Sequence, residues 1–270
     1  MAEAGASKFA DRYGGWGLIT GASSGIGRAM ADQVAAQGMP CVILSNEQES
    51  LERVRDELAV AHGVEVDSLC LDLAEPDVAQ RIRAHLGDRE LGLLVSNASF
   101  GRTGPFGSDD MATYRRMLAV NVDAYVALAH EFVADMVERG SGAVVFVSSL
   151  NSLVPGIGGS AVYSATKAFE TSFACGLWQE LLGTGVDVLL VVPGPTRTGF
   201  QDEAGTKVAS WAMDPEAVGA GVLPQLGKRL VHVAGDANQI LAGSLQRLAL
   251  EPRVEIASWM LDEALIKGTL

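Results

Sequence analysis

The chain has 270 residues, 48% of them apolar, with a mean hydropathy of +0.21, which is enough for one large α/β domain or two small ones. A formal net charge of −13 and an isoelectric point near 4.7 argue against nucleic acid or an anionic membrane surface as a partner, since both need clustered Lys and Arg. The three cysteines, Cys41, Cys70 and Cys175, are odd in number, widely spaced and set in apolar runs, so they are expected to be buried thiols in a reducing, cytoplasmic setting, with no metal-ligand spacing among them.

Residues 1–14 are expected to form a polar leader, since they carry acids and no apolar stretch of signal-peptide type. No apolar run reaches the length of a membrane span. Trp16 to Thr20 is a short apolar strand that runs into Gly21-Ala-Ser-Ser-Gly25-Ile-Gly27, followed by an amphipathic segment from Arg28 to Gln37. In a strand, glycine turn and helix of this kind the backbone approaches a pyrophosphate closely and the helix N-terminus offers it free N–H groups.

Further strands are predicted at 41–44, 64–70, 91–95, 143–147, 186–192 and 230–234. Between and after them the pattern predicts helices at 48–62, 76–86, 109–139, 161–182, 216–226, 237–250 and 254–266. Strands alternating with helices imply a seven-stranded parallel sheet flanked by helices, a doubly wound α/β fold, with residues 15–270 as one domain. In such sheets the ligand lies beyond the carboxyl ends of the strands. The residues with chemistry to offer fall there, since Gly21 to Gly27, Asn97, Ser149 and Pro193 each follow a strand.

The stretch Gly158 to Lys167, GGSAVYSATK, places Tyr163 and Lys167 four residues apart, hence on one face of a helix. A free phenol has a pKa of roughly 10, too high for a base at neutral pH. A neighbouring ammonium favours the phenolate, and a tuned tyrosine can give or take a proton at a carbonyl or alcohol. Taken alone, Y-x-x-x-K is equally an ordinary amphipathic helix, and only the rest of the chain decides for chemistry.

Taken together, Thr20-Gly21-x-x-x-Gly25-x-Gly27, Asp72, Asn97-Ala98, Asn121, Ser149, Tyr163-x-x-x-Lys167 and Pro193-Gly194 resemble the short-chain dehydrogenase/reductase family, from about Trp16 to about Gly235. The resemblance implies a catalytic tetrad: Tyr163 as general acid/base, Lys167 lowering its pKa and holding the nicotinamide ribose, Ser149 bonding the substrate oxygen, and Asn121 positioning a water in a proton relay. It implies NAD or NADP as cofactor, held by Gly21, Ser23, Ser24, Gly25, Ile26, Gly27, Ser45, Asn46, Asp72, Leu73, Asn97, Ala98, Pro193, Gly194, Thr196 and Thr198, together with Tyr163 and Lys167. It also implies a ketone or alcohol substrate and a homodimer or homotetramer.

The chain departs from the family pattern in three places. Ser99 stands where the family has Gly, Ser149 precedes Tyr163 by one residue more than usual, and the second strand ends in Leu44-Ser45-Asn46-Glu47. The extra residue is expected within Gly156 to Gly159. NAD enzymes of the family often carry Asp where Ser45 is, and NADP enzymes often carry Arg where Asn46 is. Glu47 would repel a 2′-phosphate and no Lys or Arg follows before Arg53, so NAD is favoured.

Arg197 to Pro215 is expected to be a substrate lid. Phe100, Phe106, Leu153, Ile157, Phe200, Trp211 and Met213 are candidates for an apolar pocket, though taken singly each reads as core or lid packing. The tail from Val254 to Ile266 carries Ile256, Trp259, Met260, Leu261, Leu265 and Ile266 as an apolar stripe expected to be buried, in an intersubunit contact or against its own domain. Two other functions remain open at this point: a dinucleotide-binding sensor or scaffold without turnover, and a dehydratase or epimerase on the same fold.

Overall fold

Seven strands, β1 (Trp16–Thr20), β2 (Cys41–Ser45), β3 (Val66–Cys70), β4 (Leu91–Ser96), β5 (Gly142–Val147), β6 (Val186–Val192) and β7 (Val231–Val233), form one parallel sheet in the order β3-β2-β1-β4-β5-β6-β7. The computed structural model describes residues 9–154, 159–261 and 263. The strand order reverses between β1 and β4, where Leu18 pairs with Val42 on one side and Leu94 on the other. Every residue of β2, β4 and β5 is buried, as expected of parallel strands covered on both faces.

Alternate side chains feed two cores. Leu18, Leu94, Phe146 and Leu190 join Tyr125, Leu128 and Phe132 on one face, while Ile19, Val95 and Val145 join Met30 and Val34 on the other. Each fully buried side chain of this size contributes about 1.5–3 kcal/mol. The expected doubly wound α/β architecture with seven parallel strands is therefore the one observed.

Several boundaries move for local reasons. β3 begins at Val66, not Val64. The helix expected from Pro76 begins at Val78, because Asp77 adopts a left-handed φ of 58° that leaves Pro76 outside. The helix expected over 109–139 is helix Met111–Leu118, one π turn at Ala119–Asp123 and helix Ala124–Arg139 without a break. Asp110 caps its start by accepting from the Thr113 N–H at 2.8 Å, and Gly140 ends it at φ 70°. Among the described helices this one is long and apolar enough to cross a membrane, with a mean hydropathy of 1.3, where the sequence suggested no such run. Here Tyr125, Leu128, Phe132 and Met136 are buried against the sheet.

Of the thiols expected to be buried, only Cys41 is; Cys70 is exposed on the edge strand and Cys175 is half-buried. The apolar tail is likewise only partly covered. In helix Leu250–Leu261, Ala257 is buried while Ile256 and Trp259 face outward, and Leu265 and Ile266 lie outside the described residues. Residues 1–8 and Pro155 to Gly158, including Ile157 and most of the loop expected to hold the extra residue, also lie outside them.

A helical turn over 9–13 rests at the amino ends of the strands. Arg12 Nη2 and the Tyr13 hydroxyl both donate to Asp187 Oδ2 in β6, at 2.7 and 2.8 Å. Ser141 Oγ, just ahead of β5, donates to the Arg12 carbonyl at 2.8 Å.

Candidate functional site

At the carboxyl edge of the sheet, β1 enters the glycine turn and then helix Gly25–Ala36. Gly21 and Gly25 hold φ of 67° and 56°, a region that favours glycine. A Cβ on Gly27 would lie 2.1 Å from the Gly21 carbonyl oxygen, so this turn admits no side chain there. Ser24 stands in extended backbone at the helix start without a side-chain cap, and the first turn carries no acid. The N–H groups of that end therefore face the cavity with the positive pole of the helix and no competing anion.

The ends of β1 and β4 are stitched together. Thr20 Oγ1 accepts from the backbone N–H groups of Asn97 and Ala98 at 2.9 and 3.0 Å, and Asn97 Nδ2 donates to the Thr20 carbonyl at 2.9 Å. The Asn97 amide nitrogen thus helps to hold the turn, at a position that lines the cavity.

One cavity of about 440 Å3 runs along this edge. Every residue predicted for the tetrad and the dinucleotide lines it except Asn121. Asn121 lies in the π turn with its side chain fully engaged: Nδ2 donates to the Phe100 carbonyl (2.8 Å) and Thr166 Oγ1 (3.0 Å), and Oδ1 accepts from the Phe100 N–H (2.8 Å) and Ser99 Oγ (3.2 Å). An amide has two donors and two acceptor positions, all used here, so any water held at Asn121 falls to its backbone. π turns recur at functional sites because they re-aim backbone groups of this kind.

Tyr163, Ser149 and Lys167 meet on one wall. Ser149 opens the short helix Leu150–Leu153, its Oγ accepting from the Asn151 N–H at 3.3 Å. Tyr163 and Lys167 sit on helix Ala161–Glu180, with the Lys167 ammonium 5.7 Å from the centre of the Tyr163 ring. Burial raises the Tyr163 pKa; the Lys167 charge lowers it, Glu170 raises it, and hydrogen bonds with Ser149 and Ser99 lower it, with a net upward shift. The downward tuning expected from Lys167 is therefore outweighed in this structure. Burial of the phenol is the largest cause, and a residue the sequence pattern did not single out adds to it: Glu170, buried one turn beyond Lys167, accepts from its ammonium through both carboxylate oxygens at 3.0 Å.

Ser99 was legible only as a missing glycine; in the fold its hydroxyl stands beside Tyr163 and Asn121. Asp72, expected to help hold the dinucleotide, is engaged by Arg116 Nη1 at 2.7 Å and by the Ala74 N–H at 2.9 Å. Burial pushes its carboxyl up, but the Arg116 hydrogen bond, the Ala74 N–H and the Arg116 charge together hold it below the usual carboxylate range. At the end of β2, Ser45 Oγ donates to Ser23 Oγ at 2.9 Å, while Asn46 and Glu47 are exposed at the cavity rim.

The expected lid is a pinned loop. Thr196 and Met213 pair as an isolated parallel bridge, and Arg197 forms an ion pair with Asp214 at 2.8 Å. Within it, helix Phe200–Ala204 lays Phe200 over Tyr163 with ring centres 5.4 Å apart. Thr198 approaches Gly25, and Thr196 Oγ1 is committed to the Gly194 carbonyl at 3.0 Å. Of the expected apolar lining, Phe100 and Phe200 face the cavity. Phe106 is 78% exposed and stacks on Tyr114, Leu153 packs in the core, Met213 is tied to the lid hinge, and Trp211 lines a separate hollow with Leu150 and Leu245.

A family model described as short chain dehydrogenase matches residues 16–209. A 7beta-hydroxysteroid dehydrogenase of Clostridium sardiniense is 31% identical over 240 residues, covering 86% of this chain and 89% of the relative. A structure solved for the stereoselectivity of 7beta-hydroxysteroid dehydrogenase superposes with a TM-score of 0.85 at 26% identity, over 92% of this chain and 98% of that one. A short-chain dehydrogenase from Sphingobium yanoikuyae, solved in complex with NADPH, superposes with a TM-score of 0.77 at 30% identity, over 86% and 94% of the two chains.

Proposed function

Since the chain belongs to the short-chain dehydrogenase family, we propose that it transfers a hydride between a nicotinamide dinucleotide and the carbonyl or secondary alcohol of an apolar substrate, with Tyr163 as the proton donor and acceptor. The observation that carries this reading is that Tyr163, Lys167, Ser149 and the glycine turn share the wall of one cavity at the switch point of the sheet. The positive-φ glycine turn at Gly21 and Gly25 and the uncapped helix end fit a pyrophosphate.

Bound there, the nicotinamide supplies the hydride in reduction and takes it up in oxidation. Everything else falls to the protein. Ser149 and Tyr163 hold the substrate oxygen, and Tyr163 passes its proton to that oxygen in reduction or accepts it in oxidation. Lys167 stabilises the phenolate and reaches the ribose, and the backbone at Asn121 holds the water that returns the proton. Phe100, Phe200 and Leu150 supply an apolar wall for the substrate. The 7beta-hydroxysteroid dehydrogenase relatives support a bulky alicyclic ketone or alcohol. Following absorbance of the reduced nicotinamide over a panel of hydroxysteroids, ketosteroids and small ketones tests the reading, and no turnover on any member counts against it.

The same reading favours NAD over NADP. Glu47 at the rim adds negative charge, Arg28 is paired with Glu57 at 2.7 Å, and Arg116 is paired with Asp72. NADH is expected to bind at least as tightly as NADPH in a protein-fluorescence titration. A preference for NADPH of tenfold or more, about 1.4 kcal/mol, would reverse the assignment.

The reading further includes a cytoplasmic setting and a homodimer or homotetramer, to which the exposed Ile240, Ile256 and Trp259 would contribute apolar area. Light scattering is expected to show a mass of two or four chains, and a monomer at micromolar concentration refutes the assembly.

A further inference from the structure

Three residues along helix Ala161–Glu180 from Lys167, Glu170 makes a closed, buried pair with it, the two side chains being 1% and 0% exposed. Lys167 Nζ lies 3.0 Å from each carboxylate oxygen and 3.3 Å from the Val147 carbonyl at the end of β5. An ammonium has three N–H groups, and these contacts use all three. The same nitrogen lies 5.7 Å from the centre of the Tyr163 ring and 5.8 Å from that of Tyr125. Lys167 thus faces the cavity with its charge compensated and no donor to spare.

We propose that Glu170 is a positioning residue that takes up the charge and the N–H groups of Lys167, keeping Tyr163 in its proton-donating form until a bound dinucleotide or a proton frees the lysine. The inference rests on the reading of Tyr163 and Lys167 given above and adds to it a competitor for the lysine.

The groups that face Glu170 are few. Lys167 and Tyr163 come from its own helix, Tyr125 from helix Ala124–Arg139, and the neutral Ser148 hydroxyl from the end of β5. Burial pushes the Glu170 carboxyl up to about 7, against the charge and hydrogen bonds of Lys167, so it exchanges a proton in the physiological range. Among the described residues lining the cavity there is no histidine.

The test reads Tyr163 directly in the cofactor-free protein, as the phenolate difference absorbance of the parent minus that of Tyr163→Phe. With Glu170→Gln the midpoint is expected to fall by about one pH unit or more, a tenfold change in proton affinity. Glu170→Asp, which keeps the charge, is expected to stay closer to the parent. A midpoint unmoved in folded Glu170→Gln overturns the inference. If that variant does not fold, the parent decides: NADH binding, followed by protein fluorescence between about pH 6 and about pH 8.5, is expected to tighten severalfold toward the acid side as the carboxyl protonates. A flat profile overturns the inference. Should these arms fail while Tyr163→Phe is inactive, Glu170 alone is misassigned; should Tyr163→Phe stay active, the underlying reading fails instead.

Discussion

Tyr163→Phe is expected to lower turnover by about 10² to 10⁴, the range that a positioned acid/base group contributes, while leaving folding and dinucleotide binding in place. The change removes one hydroxyl and little volume. The ring keeps its contact with Phe200, and Ser149 and Ser99 lose a partner but face a cavity that water can enter. Steady-state kinetics on any substrate the parent turns over, paired with an NADH titration, checks both halves. Near-normal turnover would mean that another group moves the proton. Loss of binding together with turnover would make Tyr163 a structural residue.

Lys167→Met is expected to act on three properties at once. Turnover falls because the phenolate loses its cation, and NADH binding weakens because the ribose loses a donor. Stability falls too, because Glu170 is left buried and unpaired. Removing one member of a buried ion pair typically costs about 3–5 kcal/mol. In a domain of this size that lowers the melting temperature by about 6–20 °C.

The pH dependence of that loss has a definite sign. Glu170 has a folded-state pKa raised above its unfolded value, to about 7 even in the presence of Lys167. The stability linked to its proton is fully present below the unfolded carboxyl pKa and is lost as pH rises through the folded value. Without the lysine, the folded carboxyl holds its proton more tightly still. Melting curves are therefore expected to show the smallest loss at mildly acid pH and the largest in mild alkali. Lys167→Met combined with Glu170→Leu is expected to recover most of the stability and none of the turnover. Equal losses for the single and double variants would show that the unpaired Glu170 carboxyl is not the source of the loss.

Much of this was legible beforehand, and the parts that were not share a cause. Strand–turn–helix order, glycine spacing and the four-residue step from Tyr163 to Lys167 are local patterns, and local geometry decides them. The ion pair of Asp72 with Arg116 joins positions 44 residues apart, which no local pattern connects. The π turn adds one hydrogen-bond frame inside an unbroken helical pattern, so the apolar period runs through it unmarked. Glu170 has the composition of a solvent-facing helical residue; only the packing of β5 and helix Ala124–Arg139 over it makes it a buried acid. Ser99 could be read as the loss of a glycine but not as the gain of a hydroxyl beside Tyr163, because that contact depends on where the loop after β4 meets helix Ala161–Glu180.

The clasp of Arg12 and Tyr13 on Asp187 has a practical side for handling the enzyme. It fixes the early backbone at the floor of the sheet, while the cavity opens at the opposite rim. A surface tether attached at that floor, through the exposed Asp11 or Arg12, is therefore expected to lie away from the cavity. Immobilisation through the floor of the sheet should leave catalysis open.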